Sequence, residues 1–182
     1  MRVPENKNYD FIPTSPLPLG VWRKKTPILN LDIDYWINQC YRISKTTPSV
    51  SRSNVHGYQS SPHLTHDLSF KPLVKLIREY FTLLTDNSNF TLFGLWVNIS
   101  GENCYNTPHN HGNSLHSISG VLYLKTPPKC GRIGFLPFND QGEIIYIEPT
   151  PGDLLLFPQN LSHFVEPNFS QEDRISIAFN CE

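Results

Sequence analysis

From Phe90 onward, Gly, Pro and Asn divide the chain into six short apolar segments: residues 92–100, 117–125, 132–137, 143–148, 153–158 and 174–180. Segments this short, with turn residues between them, read as strands of a β-sandwich or barrel. Composition points the same way. The chain has one alanine, Ala178, against 16 asparagines. Alanine is the strongest helix former and asparagine favours turns, so a helical bundle is disfavoured. Coding bias in an AT-rich genome produces the same exchange, so the weight of the argument rests on the strand pattern.

Helical periodicity is confined to the first half. Residues 1–30 are proline-rich and read as irregular. Asn30 is placed to cap a helix running to about Ile43, in which Ile33, Trp36, Ile37 and Cys40 recur at i, i+3, i+4 and i+7. Residues 44–66 read as polar loop. Asp67 or Ser69 then opens a second helix, with Pro72 in its first turn, where a missing N–H costs little. Its Leu73, Leu76, Ile77, Tyr80, Phe81 and Leu84 form one stripe. Helices first and strands after predict an antiparallel sheet with both helices packed on one outer face. A length of 182 residues suits a single domain over 1–182, a helical extension at 1–89 followed by a strand core at 90–182.

Charge and cysteine usage exclude several classes. Lys plus Arg is 15 and Asp plus Glu is 16, a net of −1, without the basic excess of a nucleic-acid binder. Cys40, Cys104, Cys130 and Cys181 form no CxxC and no metal-finger spacing. Met1 to Gly20 lacks the apolar stretch of a signal peptide, and no window approaches the ~18 apolar residues of a membrane span. A reduced, cytoplasmic protein without a membrane partner is expected.

The last segment alternates. Ile175, Ile177 and Phe179 share one face; Arg174, Ser176, Ala178 and Asn180 share the other. In a barrel covered outside by helices, the apolar face turns outward and the polar face lines the barrel mouth. Histidines supply the candidate chemistry. His109 and His111 stand at i and i+2, which projects both imidazoles from one face of an extended backbone. His163 follows the apolar run Leu154–Phe157, where an antiparallel neighbour brings it opposite the pair. Three ligands on one face leave positions open, an arrangement that suits catalytic non-haem iron and also zinc. His56, His63, His66 and His116 have no partner pattern. Arg174 and Ser176, beyond His163, together form a receptor for a carboxylate. A buried arginine near a metal needs an anion, and a dicarboxylate with an oxo-acid end satisfies arginine and metal together.

The pattern His109-x-His111, His163 and Arg174-x-Ser176, with Ser119-Gly120-Val121-Leu122-Tyr123-Leu124 and Pro151-Gly152-Asp153 between, resembles the Fe(II)- and 2-oxoglutarate-dependent oxygenases. More narrowly, Ser53-Asn54-Val55-His56-Gly57-Tyr58-Gln59-Ser60 and Trp96-Val97-Asn98 are similar to segments of a group of such oxygenases from marine bacteria and their phages. The resemblance spans about residues 50–180. It implies a mainly β double-stranded β-helix (jelly roll), with Fe(II) held by His109, His111 and His163. It further implies 2-oxoglutarate as co-substrate, chelating iron through its C1 carboxylate and ketone, with its C5 carboxylate on Arg174 and Ser176. Tyr123 is a further donor to that carboxylate, and Asn98 contacts the C1 end. Oxygen and an unidentified prime substrate complete the reaction, with hydroxylation, succinate and CO2 as the default outcome. One departure stands out: most of the superfamily has Asp or Glu where this chain has His111. Two rival readings share the jelly roll: a cupin-like three-histidine metal enzyme that does not use 2-oxoglutarate, and a non-catalytic binding or virion protein.

Overall fold

The computed structural model of the protein describes residues 20–25, 33–85, 91–114, 117–139 and 142–182. In chain order the elements are β1 (Trp22–Lys25), α1 (Ile33–Thr46), β2 (Asn54–Val55), β3 (Tyr58–Gln59), α2 (Lys71–Thr85), β4 (Leu92–Ser100), β5 (Tyr105–His109), β6 (Ile118–Lys125), β7 (Ile133–Phe135), β8 (Ile145–Ile147), β9 (Asp153–Pro158), β10 (His163–Val165) and β11 (Arg174–Cys181). They build two sheets, a major one ordered β1-β9-β6-β11-β4-β3 and a minor one ordered β2-β5-β10-β7-β8. Neighbouring strands within each sheet run antiparallel. This is the mainly β, double-stranded β-helix architecture expected from the sequence.

All six apolar segments are strands, and β4 and β9 keep the expected bounds. Five further strands were not apparent in the sequence. β5 reads Tyr-Asn-Thr-Pro-His and is largely accessible, so no apolar alternation marks it. Pro108 has no N–H to offer, and β2 is too short to need one there, since its pairing ends at Asn106. β10 spans three residues, and β1 emerges from the proline-rich start to edge the major sheet against β9.

Both helices cover the outer face of the major sheet. Trp36, Cys40 and Ile43 of α1 are buried, as are Leu73 and Ile77 of α2. They meet Leu95, Val97 and Ile99 of β4 and Ile175, Ile177 and Phe179 of β11 in one apolar cluster. Each such side chain stabilises the fold by roughly 1.5–3 kcal/mol on burial. Asn30, expected to cap α1, lies outside the described residues, as do the side chains of Tyr80, Phe81 and Leu84 in the α2 stripe; α1 itself continues past Ile43 to Thr46. Asp67 acts one turn earlier than a cap on α2. Its carboxylate accepts from the Ser69 N–H (2.9 Å) and opens a 3-10 turn, Leu68–Phe70, that leads into the helix. Arg42 of α1 pairs with the same carboxylate at 3.0 Å and ties the two helices together.

A second cluster lies inside, between the sheets. It gathers Trp96, Val121, Tyr123 and Ala178 of the major sheet with Ile133 and Phe135 of β7. β11 therefore divides its residues between the two clusters as its alternation predicted: Ile175, Ile177 and Phe179 face the helices, and Ala178 faces inward.

Candidate metal and anion site

The interior of the β-helix holds a cavity of about 630 Å³, lined by residues of both sheets. The polar row of β11 forms one wall. Strand register sets Tyr123, Ser176 and Asn98 side by side across β6, β11 and β4, and all three line the cavity. Two residues further along β11, Ala178 lies between Val121 and Trp96; two further still, Asn180 pairs with Ser119.

The minor sheet brings the histidines together. His163 of β10 is the direct cross-strand partner of His109 at the end of β5. Ring centroids are 4.3 Å apart for His109 and His163, 5.2 Å for His109 and His111, and 5.1 Å for His111 and His163. One nitrogen from each lies within 4.8 Å of the other two. His111 reaches this position differently from the way an i, i+2 pair on one strand would. β5 ends at His109, and the chain bends before Gly112, whose φ of +140° suits glycine. The His111 N–H donates to the Gln159 carbonyl at 2.9 Å, so the loop before β10 fixes it.

The second nitrogen of each ring identifies the free one. His109 Nδ1 lies 2.8 Å from the Thr107 carbonyl, and His163 Nδ1 lies 2.9 Å from the Leu161 carbonyl. A carbonyl only accepts, so both Nδ1 atoms carry the proton and both Nε2 atoms keep a lone pair. The same local device, a bond to the carbonyl two residues back, orients both rings. Burial pushes His111 down to about 4 and His163 down to about 3, and it lowers His109 as well. All three imidazoles are neutral at pH 7, the state that metal ligation requires.

Arg174 is 3% exposed, and its Nη1 donates to the carbonyls of Cys130 and Glu166. Among the described residues no carboxylate pairs with it. Burial depresses its pKa, as expected for a cation taken out of water without a counter-ion. Burial also raises the pKa of neighbouring Tyr123, which stays a neutral donor, while the guanidinium acts against that rise. The loop around Arg174 is closely fitted: Lys129 and Gly131 have φ of 64° and 85°, and a Cβ on Gly131 would collide with the Glu166 carbonyl.

All seven residues singled out from the sequence, His109, His111, His163, Arg174, Ser176, Tyr123 and Asn98, thus line one cavity. Other residues of the site had been given no role from the sequence. Ser53 Oγ lies 3.2 Å from His109 Nε2, and the Trp96 ring stands edge-on to His111 at 5.4 Å. Asn180 and Ser119 both contact His111 Nδ1. Asn180 had been placed on the inward row with Arg174, and Ser53, Trp96 and Ser119 stood inside the quoted segments, but no spacing to a histidine marked a role for any of them.

A family model described as "Putative 2OG-Fe(II) oxygenase" matches residues 137–180, the stretch that carries His163, Arg174 and Ser176. The match covers 44 of the chain's 182 residues and marks that stretch as similar to the 2-oxoglutarate/Fe(II) oxygenase superfamily. Solved structures of that superfamily share this chain's fold. The non-heme alpha-ketoglutarate-dependent epimerase SnoN of nogalamycin biosynthesis aligns over 90% of this chain and 77% of its own, with a TM-score of 0.75 at 14% identity. HygX from Streptomyces hygroscopicus, with nickel, 2-oxoglutarate and hygromycin B bound, aligns over 90% and 82%, with a TM-score of 0.68 at 12% identity. A Pseudomonas putida prolyl-4-hydroxylase aligns over 89% and 92%, with a TM-score of 0.58 at 17% identity. At such identities the likeness speaks for the fold, and the superfamily fold carries several reaction outcomes. No curated protein matches the chain in sequence. No helix among the described residues is long and apolar enough to cross a membrane.

Proposed function

We propose that the protein is an Fe(II)- and 2-oxoglutarate-dependent dioxygenase that hydroxylates a prime substrate admitted to the cavity. The observation that carries this reading is Arg174, a buried guanidinium without a carboxylate partner among the described residues, on the wall of the cavity that holds three convergent imidazoles. An uncompensated buried charge costs several kcal/mol, so the fold keeps such a group where an anion completes it. A cupin-like enzyme that did not use the co-substrate would leave that charge unanswered, and a non-catalytic jelly roll would have no use for either group.

The donor set fits the implied iron. Three neutral nitrogens with anchored Nδ1–H groups suit a borderline divalent ion, and one-sided ligation leaves room for further ligands. His109, His111 and His163 would hold the ion, while Arg174 and Ser176 would take the C5 carboxylate of 2-oxoglutarate. When bound, iron and co-substrate supply an oxidation by O2 in which 2-oxoglutarate is converted to succinate and CO2. The chain itself contributes position and exclusion. Tyr123, still protonated at pH 7, donates toward the carboxylate, and Asn98 is positioned in the same row for the C1 end. Val121, Ile133 and Phe157 contribute apolar surface to the lining, and apolar surroundings strengthen a polar contact made beside them.

The test is spectroscopic. Anaerobic addition of Fe(II) and then 2-oxoglutarate should develop the visible metal-to-ligand charge-transfer band. Folded, iron-loaded protein without that band would overturn the reading. Arg174→Ala should weaken 2-oxoglutarate binding by at least 10-fold, as expected for loss of a charge-assisted bidentate contact, and spare iron loading. An equal fall in iron loading would refute the anion-anchor role.

A further inference from the structure

His111 occupies the place where most of the superfamily has a carboxylate, and its contacts raise a question that a carboxylate would not. An imidazole ligates through whichever nitrogen lacks the proton, so a third histidine is useful only if its tautomer is fixed. His109 and His163 are fixed by their own backbone carbonyls two residues back. His111 has no such contact. Its Nδ1 faces two side chains instead, Asn180 Oδ1 at 2.8 Å and Ser119 Oγ at 2.9 Å.

Those two side chains also touch each other, and that contact decides the protonation. The Ser119 hydroxyl donates to Asn180 Oδ1 at 2.8 Å. A serine has one proton to give, so toward His111 the Ser119 oxygen can only accept. The amide oxygen of Asn180 also only accepts. With acceptors on both sides, His111 Nδ1 must be the donor, and its lone pair is left on Nε2. Strand register builds the arrangement, because Ser119 and Asn180 are direct cross-strand partners on β6 and β11. The indole of Trp96 packs against the imidazole from β4. A ring held in this way meets the ion with one fixed face.

We infer that Asn180, assisted by Ser119, is a positioning residue that locks His111 as the Nδ1–H tautomer and directs its Nε2 at the metal. This rests on the proposed role of the three histidines as metal ligands; it does not depend on 2-oxoglutarate. Asparagine in this role accepts a hydrogen bond without adding charge, so the whole ligand shell of the ion, together with its supports, stays neutral. Orienting partners of metal-bound imidazoles commonly contribute ~10–100-fold to metal affinity.

Two measurements test it. Long-range 1H–15N correlation on 15N-labelled, metal-free protein should place the His111 proton on Nδ1; a proton on Nε2 would overturn the inference without any variant. Ni(II) titration, without co-substrate, then compares variants. His111→Ala sets the scale of losing the ligand. Asn180→Leu should weaken Ni(II) binding by ~10–100-fold, while Asn180→Asp, which keeps the acceptor, should bind at least as tightly as the native protein. Ser119→Ala, the milder probe should Asn180→Leu fail to fold, should lie between the native protein and Asn180→Leu. Native-like affinity in both Asn180→Leu and Ser119→Ala, with His111→Ala clearly weakened, would refute the positioning role and leave the metal site intact. Native-like affinity in His111→Ala would remove His111 from the ligand set and the inference with it.

Discussion

Gly120 stands opposite Phe179 across β6 and β11, and a Cβ at Gly120 would sit well inside contact distance of the Phe179 ring. Phe179 is fully buried against the helices and cannot swing into solvent. Gly120→Ala should therefore cost about 1–3 kcal/mol, the usual toll of overpacking, read as a lower midpoint in urea unfolding. An unchanged midpoint would mean that the ring has room to move. At this scale the sequence was legible where chemistry and spacing coincide. His109, His163, Arg174 and Ser176 were found because their spacing brings known donor types together. Gly120 was quoted only as part of a motif, because the ring it must avoid lies 59 residues away in the chain. His111 reached the expected cluster by another route, held by Gln159 and Asn180 after β5 had ended.

β11 carries two jobs on alternate residues, and they should separate on mutation. Ile177 is fully buried under the helices, so Ile177→Ala should cost about 2–5 kcal/mol of stability. The affinity for 2-oxoglutarate should hardly change in that variant. Ser176→Ala should do the reverse, lowering that affinity and leaving the melting temperature within a few degrees. Thermal unfolding and co-substrate titration on both variants check the pair; equal effects on both quantities would show that the faces are coupled. Elements announced themselves in the sequence in proportion to how much apolar surface they bury. β4, β9 and β11 bury nearly every residue and were read close to their bounds. β5 buries almost nothing on its outer side and breaks its own pattern with Pro108, so the strand that carries His109 stayed hidden. Residues 44–66 had read as loop, and two residues per strand in β2 and β3 are too few to show a period.

For the molecule as a whole, the histidine cluster ties stability to pH. His111 and His163 titrate in the folded protein near 4 and 3, against an ordinary value of 6.5, and His109 is also lowered. The unfolded chain therefore binds more protons than the folded one below about 6.5. Stability of the metal-free protein should be fully present above that pH and fall as the solution is acidified toward 3. Denaturant unfolding at pH 7.5, 6 and 5 measures this, and His163→Gln should flatten the dependence. A native protein equally stable at all three would refute it. Arg23 and Asp153 hold β1 to β9 with a 2.6 Å ion pair, Asp153 being completely buried, so β1 at the edge of the major sheet is fastened to the core. The major sheet acts as a partition, with helices on one side and the cavity on the other. That has a consequence for descent. Along β11, residues that line the cavity and are proposed to serve the reaction alternate with residues that answer to folding, so a lineage can exchange one set while inheriting the other unchanged. A fold built this way lets new substrates be tried without the chain having to learn again how to fold.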